Sequence, residues 1–514
     1  MKLLKCLLPA IVLSLLFNTR LQAQSETAFK HSLPETEGVS SAMIDSFVRV
    51  AGKNIHDMHS FMLLRHGKVI AEGWWNPYAS NLRHSMYSCS KSFTSTAVGF
   101  AVSEKLLNVN DKVISFFPKL LPDSVSPYLA QLTVKDLLTM SVGQEPDPTS
   151  LIPFTDDNWV KDFLATPIKY KPGSKFLYNT MATYTLSAIV QKVTGKKEFD
   201  YLKPRLFDPL GITGIDWEVS NEGINTGGWG LRLKTEDMAK MAQLYLQKGM
   251  WNGKQVIPKA WVEETTTFKI DQAPGERQSK KDSSDWMQGY CYQFWRCRHN
   301  AFRGDGAFGQ FILVMPDQDA VLAITAETPD MQAELNLAWQ YLLPAMHTGV
   351  LPANPNAQAN LKRNLAALSY PPLKSSVAAP DIKNKTYNLQ SNALNIKSIS
   401  FNMVNDLCAL TLKNDTATYM LNFSTGKWLS GTTNLQGPGV LAKAKIKFAA
   451  LSPYKITTSY AWQDAQTLQL KVRYIESPHS ETITCHFDGN KMNADVDFSY
   501  NWGKNAIHLT GVAE

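Results

Sequence analysis

The sequence predicts an α+β fold: one antiparallel sheet flanked by helices, followed by a separate all-β domain. Strand-like segments stand at both ends of residues 28–348, and helical segments lie between them. Residues 349–382 are rich in Pro, Ala, Ser and Asn, which is typical of a linker around one short helix. Residues 383–514 alternate apolar and polar side chains between turn signals, which predicts a sandwich or a small barrel.

The elements of the first domain carry recognisable turn and capping signals. In HSFMLLRHGKVIAEGWW, His66 and Gly67 form the predicted turn between two apolar strands. A helix capped by Thr133 is predicted for TVKDLLTM, and a helix that ends at Gly195 is predicted for MATYTLSAIVQKVTG. A third helix, capped by Thr235, is predicted for KTEDMAKMAQLYLQKGMW. The segments GYCYQFWRC, GAFGQFILVMP and DAVLAITAET then predict three successive strands.

The N-terminal segment MKLLKCLLPAIVLSLLFNTRLQA is typical of a secretory signal peptide. Lys2 and Lys5 precede an apolar run over residues 7–17, and the small Ala23 follows at a suitable cleavage position. We therefore predict a signal peptide over residues 1–23 and a periplasmic or secreted protein. The apolar run is too short to span a bilayer, so we expect no integral membrane segment after cleavage.

Charge and cysteine content argue against several classes of function. Without residues 1–23 the formal net charge is +4, and the sequence has no arginine-rich run, so we expect no nucleic-acid partner. On one extended strand Cys291 and Cys297 would lie roughly 20 Å apart, too far for a disulfide, whereas a bond between Cys408 and Cys485 stays open. No Cys/His cluster has zinc spacing, so we predict no metal and no cofactor.

Ser88 and Lys91 stand at the start of a predicted buried helix in MYSCSKSFTSTAVGFAV. Residues three apart share one face of a helix, which brings the hydroxyl and the amine within hydrogen-bond reach. A lysine whose pKa is lowered by burial accepts a serine proton, and the N–H groups of a helix start favour an oxyanion beside Ser88. The pair is therefore a candidate nucleophile and base. The alternative is a serine that only caps the helix, since Ser-x-x-Lys spacing alone is a weak signal.

Five blocks follow one another between about residues 30 and 345. They are MYSCSKSFTSTAVGFAVSEKLLNVNDKVISFFP, LTVKDLLTMSVG, GSKFLYNTMATYTLSAIVQKVTG, GGWGLRLKTEDMAKMAQLYL and RGDGAFGQFILVMPDQDAVLAIT. Together they resemble the serine beta-lactamase-related family of class C beta-lactamases, D-alanyl-D-alanine carboxypeptidases, esterases, 6-aminohexanoate-dimer hydrolases and some acyltransferases. The resemblance implies a beta-lactamase/transpeptidase-like fold, with Ser88 as nucleophile and Lys91 as its base.

The resemblance also assigns a role to Tyr178. The family's second motif is a tyrosine, any one residue, then Asn or Ser, and it reads Tyr178-Asn179-Thr180 in this chain. Tyr178 is thereby implied as the second general acid/base, which passes a proton to the leaving group. Thr180 departs from the family pattern.

The third family motif is Lys or His, then Thr or Ser, then Gly, and it corresponds to Gly304-Asp305-Gly306. The resemblance implies an oxyanion hole formed by the backbone N–H groups of Ser88 and Ala307, the residue that follows this motif. The glycine of the motif is kept and its basic residue is missing. In the family that basic residue helps to hold the carboxylate of a penicillin or peptide, so its absence argues against antibiotic hydrolysis.

Three residues are candidates for substrate binding. Gly306 has no side chain and lets a substrate approach the strand closely. Arg303 replaces the missing basic residue if its side chain points inward. Trp295 precedes the third motif and lines the mouth of the pocket, unless it only packs within the sheet.

These residues predict a serine acyl enzyme whose partner is a small-molecule acyl donor, an ester or an amide. Ester hydrolysis is the first expectation. Transfer of the acyl group to an alcohol acceptor, such as a sterol-like or bile-acid hydroxyl, is the second, and beta-lactam or D-alanyl-D-alanine cleavage is the third. A penicillin-sensing or carbohydrate-binding protein without turnover is the non-enzymatic alternative. The combination of Ser88, Lys91 and Tyr178 argues against it, since a binder has no need of all three.

Overall fold

The computed structural model describes residues 28–151, 158–378, 385–439 and 453–513. The predicted signal peptide lies outside these residues. The fold class is as predicted: a mainly antiparallel sheet with helices on both faces, followed by an all-β unit of residues 386–513, here called the C-terminal β domain.

A seven-stranded sheet organises the first domain. The strands of this domain are β1 (Lys30–His31), β2 (Asp57–Arg65), β3 (Lys68–Trp74), β4 (His84–Ser85), β5 (Asp216–Trp217), β6 (Leu231–Leu233), β7 (Met250–Trp251), β8 (Lys254–Gln255), β9 (Trp295–Arg296), β10 (Phe302–Gly306), β11 (Gln310–Met315) and β12 (Ala320–Glu327). The large sheet has the order β1-β3-β2-β12-β11-β10-β9, while β4, β6 and β5 form a small sheet and β7 pairs with β8. Only the β1–β3 pair of the large sheet is parallel.

The hairpin β2–β3 turns at the predicted pair, His66 and Gly67. Both have positive φ, 50° and 73°, which matches the twist that a two-residue hairpin requires. Along β2, side chains alternate between the two faces of the sheet. Phe61 therefore enters the hydrophobic cluster on one face, and Met62 enters the cluster on the other.

The described residues form thirteen α-helices, and those that pack on the large sheet cover both of its faces. They are α1 (Ser41–Asn54), α2 (Ser90–Ser103), α3 (Val113–Phe116), α4 (Pro127–Gln131), α5 (Val134–Leu138), α6 (Trp159–Ala165), α7 (Thr180–Thr194), α8 (Glu198–Leu202), α9 (Thr235–Leu246), α10 (Lys259–Thr266), α11 (Gln278–Lys281), α12 (Met331–Leu337) and α13 (Pro355–Ala366). Helices α2, α7 and α9 pack in the larger cluster, and α1 and α12 pack in the other. Helix α2 is buried from Ser90 to Ala101, so the helix that follows Ser88 lies inside the protein.

Capping explains where the predicted helices begin and end. Thr133 caps α5 in a capping box with Asp136, and Gly195 ends α7 in the left-handed conformation with φ 69°. The cap of α9 differs from the prediction by one residue. Lys234 precedes the helix and donates its N–H to Asp237, while Thr235 lies in the first turn and shares a hydrogen bond with Ser60 at 2.7 Å.

The strand prediction for GYCYQFWRC was wrong over most of its length. Within it only Trp295–Arg296 forms a strand, because the chain turns at Gln293, whose φ is 65°. The N–H of Cys291 donates to the carbonyl oxygen of Phe294 across this turn. The three long successive strands are instead β10, β11 and β12, which pair as consecutive antiparallel neighbours.

The segment between the two sheets is packed against the first domain. Helix α13 lies on α1, where Asn364 Nδ2 donates to Asp45 at 2.6 Å, and Gln358 Nε2 donates to Glu35, in the turn that precedes α1, at 2.8 Å. Tyr370 Oη donates to the carbonyl oxygen of Met58 at 2.9 Å. These contacts attach the segment to the sheet that it follows.

The C-terminal β domain is a ten-stranded antiparallel sheet curled into a near-barrel. Its strands are β13 (Thr386–Leu389), β14 (Ser398–Val404), β15 (Leu407–Lys413), β16 (Thr418–Ser424), β17 (Leu429–Thr433), β18 (Tyr454–Trp462), β19 (Thr467–Tyr474), β20 (Ser480–Asp488), β21 (Lys491–Phe498) and β22 (Ile507–Ala513). The edge strands β16 and β17 are consecutive in the chain and lie together. The hydroxyl of Thr458, on β18, contacts both, since its Oγ1 lies 2.5 Å from the carbonyl oxygen of Asn422 on β16 and 3.2 Å from that of Leu429 on β17. Of the two predicted forms, the structure therefore has the barrel-like one.

The five described cysteines are all buried and free: Cys89, Cys291, Cys297, Cys408 and Cys485. The question left open for Cys408 and Cys485 is thus answered, since both carry thiols inside the C-terminal core. Cys291 and Cys297 are also unbonded, although the extended strand on which that prediction rested does not form, since the chain turns between them at Gln293.

Candidate active site

Ser88 lies in a single 3₁₀ turn, Tyr87–Cys89, that leads directly into α2. The side chain of Lys91, in the first turn of α2, lies on the same face, and its Nζ is 3.0 Å from Ser88 Oγ. Lys91 is only 1% exposed, whereas Ser88 is partly exposed. The pair therefore combines a hydroxyl that a substrate can reach with an amine that water cannot surround.

The surroundings of Lys91 decide its protonation. Burial disfavours the ammonium form and lowers the pKa of Lys91 to about 7, although Asp147 and Asp305 act in the opposite direction. Nζ also donates to the carbonyl oxygen of Gly228 at 2.7 Å, which holds the amine in place. With this pKa a large share of Lys91 is the neutral amine at neutral pH, and this form is able to take a proton from Ser88.

Tyr178 lies immediately before α7, where the side chain of Asn179 caps the helix by accepting from the N–H of Ala182. The ring centroid of Tyr178 is 5.0 Å from Lys91 Nζ. Burial raises the pKa of the Tyr178 phenol well above its ordinary value, while a side-chain hydrogen bond with Ser88 lowers it. Tyr178 is therefore a neutral phenol beside Ser88, able to donate a proton.

Thr180 fills the position where the family has Asn or Ser. Its Oγ1 lies 3.4 Å from Lys91 Nζ, at the limit of a hydrogen bond. The departure from the family pattern therefore keeps a hydroxyl next to the lysine. This hydroxyl and the carbonyl oxygen of Gly228 are both within hydrogen-bond reach of Lys91 Nζ.

Strand β10 passes closely against the nucleophile turn, and its glycines make this possible. A Cβ atom on Gly306 would overlap the carbonyl oxygen of Met86, and one on Gly304 would lie 2.7 Å from Ser92 Oγ. Ala307 follows at the end of the strand and is partly exposed, like Ser88. The predicted oxyanion-hole residues thus belong to two segments packed together, and their role as N–H donors stays a prediction.

Arg303 does not extend toward a substrate. Its side chain is fully buried, its Nε and Nη2 donate to Asp305 Oδ2 at 3.1 and 2.9 Å, and its Nη1 donates to the carbonyl oxygen of Asp285 at 2.8 Å. The guanidinium carbon also lies 4.3 Å from the centroid of the Trp286 ring. A substrate carboxylate would have to displace Asp305 to reach this guanidinium, so the geometry gives Arg303 a structural role in place of the proposed binding role.

Trp295 supports Tyr178. The two rings stack with centroids 5.8 Å apart and an interplanar angle of 22°, and Tyr290 packs edge-on against Trp295 at 4.9 Å. Trp295 is 8% exposed, so most of its surface is used in this aromatic packing. The sequence left two roles open for Trp295, which were lining the mouth of the pocket and packing within the sheet. The direct contacts of its ring favour packing.

Three residues of the site were not singled out from the sequence: Asp147, Gly228 and Asp305. Gly228 lies in the glycine-rich block, and its signal is the absence of a side chain. A Cβ atom there would lie 2.8 Å from Thr180 Cγ2 and 3.3 Å from Lys91 Nζ. Asp147 and Asp305 reach Lys91 only through the tertiary fold, so no local pattern marks them.

The described residues contain neither a metal-binding cluster nor a membrane-spanning helix. No group of three or more His, Cys, Asp and Glu side chains in this part of the chain is arranged to hold a metal ion. Among the same residues, no helix is long and apolar enough to cross a membrane.

An antiparallel sheet between helices, with a serine and a buried lysine at the start of a central helix, defines a serine hydrolase-like protein. The sequence model of the Beta-lactamase family matches residues 55–345, more than half of the chain, and the chain belongs to this family. It is 26% identical over 292 residues to a 6-aminohexanoate-dimer hydrolase of Paenarthrobacter ureafaciens, which covers 53% of this chain and 73% of that protein.

Two other matches are similar over a shorter stretch or in fold alone. Protein flp of Staphylococcus aureus (strain N315) is 25% identical over 178 residues, or 32% of this chain and 35% of that protein. A solved structure, named a putative 6-aminohexanoate-dimer hydrolase from Bacillus anthracis, matches with a TM-score of 0.53 and 20% identity. It covers 63% of this chain and 89% of that one, and it supports the fold alone.

Proposed function

We propose that this protein is an exported serine hydrolase that cleaves an ester or amide of a small molecule through an acyl-enzyme on Ser88. The observation that carries the proposal is the buried amine of Lys91, with a pKa of about 7, located 3.0 Å from Ser88 Oγ. The relative from Paenarthrobacter ureafaciens is named a hydrolase of the 6-aminohexanoate dimer, which supports hydrolysis as the class of reaction.

The proposed reaction has two halves. Neutral Lys91 accepts the proton of Ser88 as Oγ attacks the substrate carbonyl carbon, and the N–H groups of Ser88 and Ala307 stabilise the oxyanion. Tyr178 donates its phenolic proton to the leaving oxygen or nitrogen as the bond to the carbonyl carbon breaks, and the proton held by Lys91 restores the phenol. Water then attacks the acyl carbon as neutral Lys91 takes one of its protons, and Lys91 returns that proton to Ser88 Oγ as the bond between Oγ and the acyl carbon breaks and the acid leaves.

The decisive experiment is a burst assay with 4-nitrophenyl esters of short acids. We expect one equivalent of nitrophenol before steady turnover, an intact-mass gain equal to the acyl group, and peptide mapping of that group to Ser88. Ser88→Ala is the matched control and should show neither burst nor adduct. A protein that retains a ligand tightly without any acyl adduct would overturn the proposal in favour of a binding protein.

The same assay separates the finer alternatives. Added alcohol acceptors yield a new ester, detected by mass, if transfer competes with hydrolysis. Penicillin or a D-alanyl-D-alanine peptide would be a poor substrate, because neither Gly304 nor the buried Arg303 offers a cation for the substrate carboxylate. Export is proposed from Lys2, Lys5, the apolar run 7–17 and Ala23, and N-terminal sequencing of the protein isolated from its native cells tests it.

A further inference from the structure

The C-terminal β domain places a histidine against the nucleophile turn. His479 lies in the connection between β19 and β20, its side chain is fully buried, and its Nε2 is 2.5 Å from Tyr87 Oη. Tyr87 is the residue before Ser88. A group 392 positions away in the chain thus touches the turn that carries the proposed nucleophile.

Glu327 fixes the orientation of this histidine. Its Oε1 lies 2.5 Å from His479 Nδ1 and also accepts from Ser499 Oγ at 2.8 Å. Because a carboxylate only accepts, the proton of a neutral imidazole resides on Nδ1, and Nε2 then accepts from the phenol of Tyr87. Tyr87, His479 and Glu327 thus form one hydrogen-bonded chain from the nucleophile turn to the end of β12.

The same histidine packs against a second residue of the site. The ring of Phe308, which follows Ala307, meets the His479 ring edge-on with centroids 4.8 Å apart and an interplanar angle of 90°. The rings of Tyr87 and Phe308 also meet, at 5.6 Å. His479 therefore contacts both residues that adjoin the predicted oxyanion-hole positions.

Both of these residues have strained backbones. The φ angle of Tyr87 is 45° and that of Phe308 is 70°. For a non-glycine residue this left-handed conformation is unfavourable because the Cβ atom crowds the backbone, and it persists only where the surroundings hold it. The aromatic and hydrogen-bonded contacts of His479 are such a restraint on both.

We propose that His479 is a positioning residue for the acyl-transfer site, so that the C-terminal β domain is part of the catalytic unit. By holding Tyr87 and Phe308, it aligns the backbone N–H groups of Ser88 and Ala307 on one point. The inference rests on the proposed acyl-enzyme function. It adds that this site is complete only when the C-terminal β domain is docked.

The test compares Tyr87→Phe, His479→Phe and His479→Gln in the full-length protein. Tyr87→Phe removes one oxygen and keeps the ring, whereas His479→Gln keeps an acceptor for the phenol. We expect roughly a 10- to 100-fold lower kcat for both phenylalanine variants, with KM within about 2-fold, as misplacement of reacting groups produces. His479→Gln should recover part of this loss. The double variant Tyr87→Phe/His479→Phe should have a kcat no lower than that of the poorer single variant, because the two residues act as one unit.

His508→Gln is the matched control. His508 belongs to the same domain, is 79% exposed and pairs with Asp495 on the surface, so its replacement should leave kcat and melting temperature unchanged. Wild-type kcat in folded Tyr87→Phe overturns the inference, even if His479→Phe fails to fold. A wild-type protein that forms no acyl adduct on Ser88 overturns the proposed function as well, and that failure appears before any variant is compared.

Discussion

Arg473 of β19 donates from Nη1 to Asp57 Oδ2 at the start of β2, at 2.6 Å. The two side chains are 9% and 8% exposed. The ion pair therefore lies in the interface between the C-terminal β domain and the large sheet. Nearby, Glu476 accepts from Arg83 and Arg232, so a second cluster of charges joins the same two parts.

Replacement of Asp57 by Asn should destabilise the protein. The substitution leaves the Arg473 cation buried without its partner, which typically costs about 3–5 kcal/mol. We expect the free energy of unfolding to fall by about this amount in urea titrations at neutral pH. Asp415→Asn is the control, because Asp415 is 74% exposed and pairs with Lys397 at 3.5 Å. Equal stability of both variants would contradict a structural role for the interface pair.

The same pair predicts how stability depends on acid. Burial alone would raise the pKa of Asp57, but Arg473 and His59 outweigh burial and hold the pKa below its ordinary value. A carboxyl with a depressed pKa contributes stability that is fully present above its unfolded pKa of ~4 and is lost as pH falls through the folded pKa. We therefore expect the stability difference between wild type and Asp57→Asn to shrink in acid titrations below ~pH 4. A difference that is constant with pH would argue against ionised Asp57.

Lys91 predicts the pH dependence of activity. With a pKa of about 7, the amine is protonated in acid and free to act as a base above neutrality. We expect kcat/KM for ester cleavage to rise with pH through about 7. Lys91→Arg keeps a cation that does not deprotonate, so it should lower kcat/KM roughly 10²- to 10⁴-fold and abolish the rise. A flat profile across neutral pH in the wild type would exclude Lys91 as the base.

Local patterns predicted part of the fold and part of the site. The hairpin at His66, the stop at Gly195 and the spacing of Ser88 and Lys91 all depend on residues within a few positions of one another. For such features the backbone geometry follows directly from the residue types. The cap of α9 lies one residue before the predicted one because Lys234 and Thr235 both precede the acidic pair Glu236 and Asp237, and the side chain of Thr235 has a partner in β2.

Other features depend on contacts that no local pattern contains. Gly228 meets Lys91 across 137 positions, and His479 meets Tyr87 across 392. Arg303 was considered for substrate binding because a cation is missing from the third motif. Its pairing with Asp305, two residues further along the same strand, becomes evident only when burial shows that neither side chain faces solvent.

Tyr178→Phe should distinguish the proposed catalytic role of the Tyr178 hydroxyl from the packing role of its ring. The phenylalanine ring keeps the stack on Trp295, and only the hydroxyl beside Ser88 is lost. We expect acylation to slow roughly 10²- to 10⁴-fold, as loss of a general acid/base does, with an unchanged melting temperature. The control is Tyr128→Phe, the same change at a tyrosine that is 37% exposed. A normal burst from Tyr178→Phe would remove the phenol from the mechanism.

Gly306→Ala should lower activity by displacing the backbone near Ser88. The new methyl group would overlap the carbonyl oxygen of Met86, and backbone atoms yield less easily than a side-chain end. Either β10 or the turn that holds Ser88 must shift, so Ala307 moves relative to the nucleophile. We expect roughly a 100-fold loss of kcat/KM, as a displacement of about 1 Å between reacting groups produces.

Two glycine controls make this last test specific. Gly349→Ala should be neutral, because a Cβ atom there meets no atom within 4 Å. Gly304→Ala should have an intermediate effect, since its methyl group would meet a side-chain end, the Ser92 hydroxyl, which can move only by giving up its hydrogen bond to the carbonyl oxygen of Gln293. The burst assay measures all three variants with the same ester. If Gly306→Ala matched Gly349→Ala in burst amplitude and rate, the close approach of β10 to the nucleophile turn would have no catalytic consequence, and the assignment of Ala307 to the oxyanion hole would lose its structural basis.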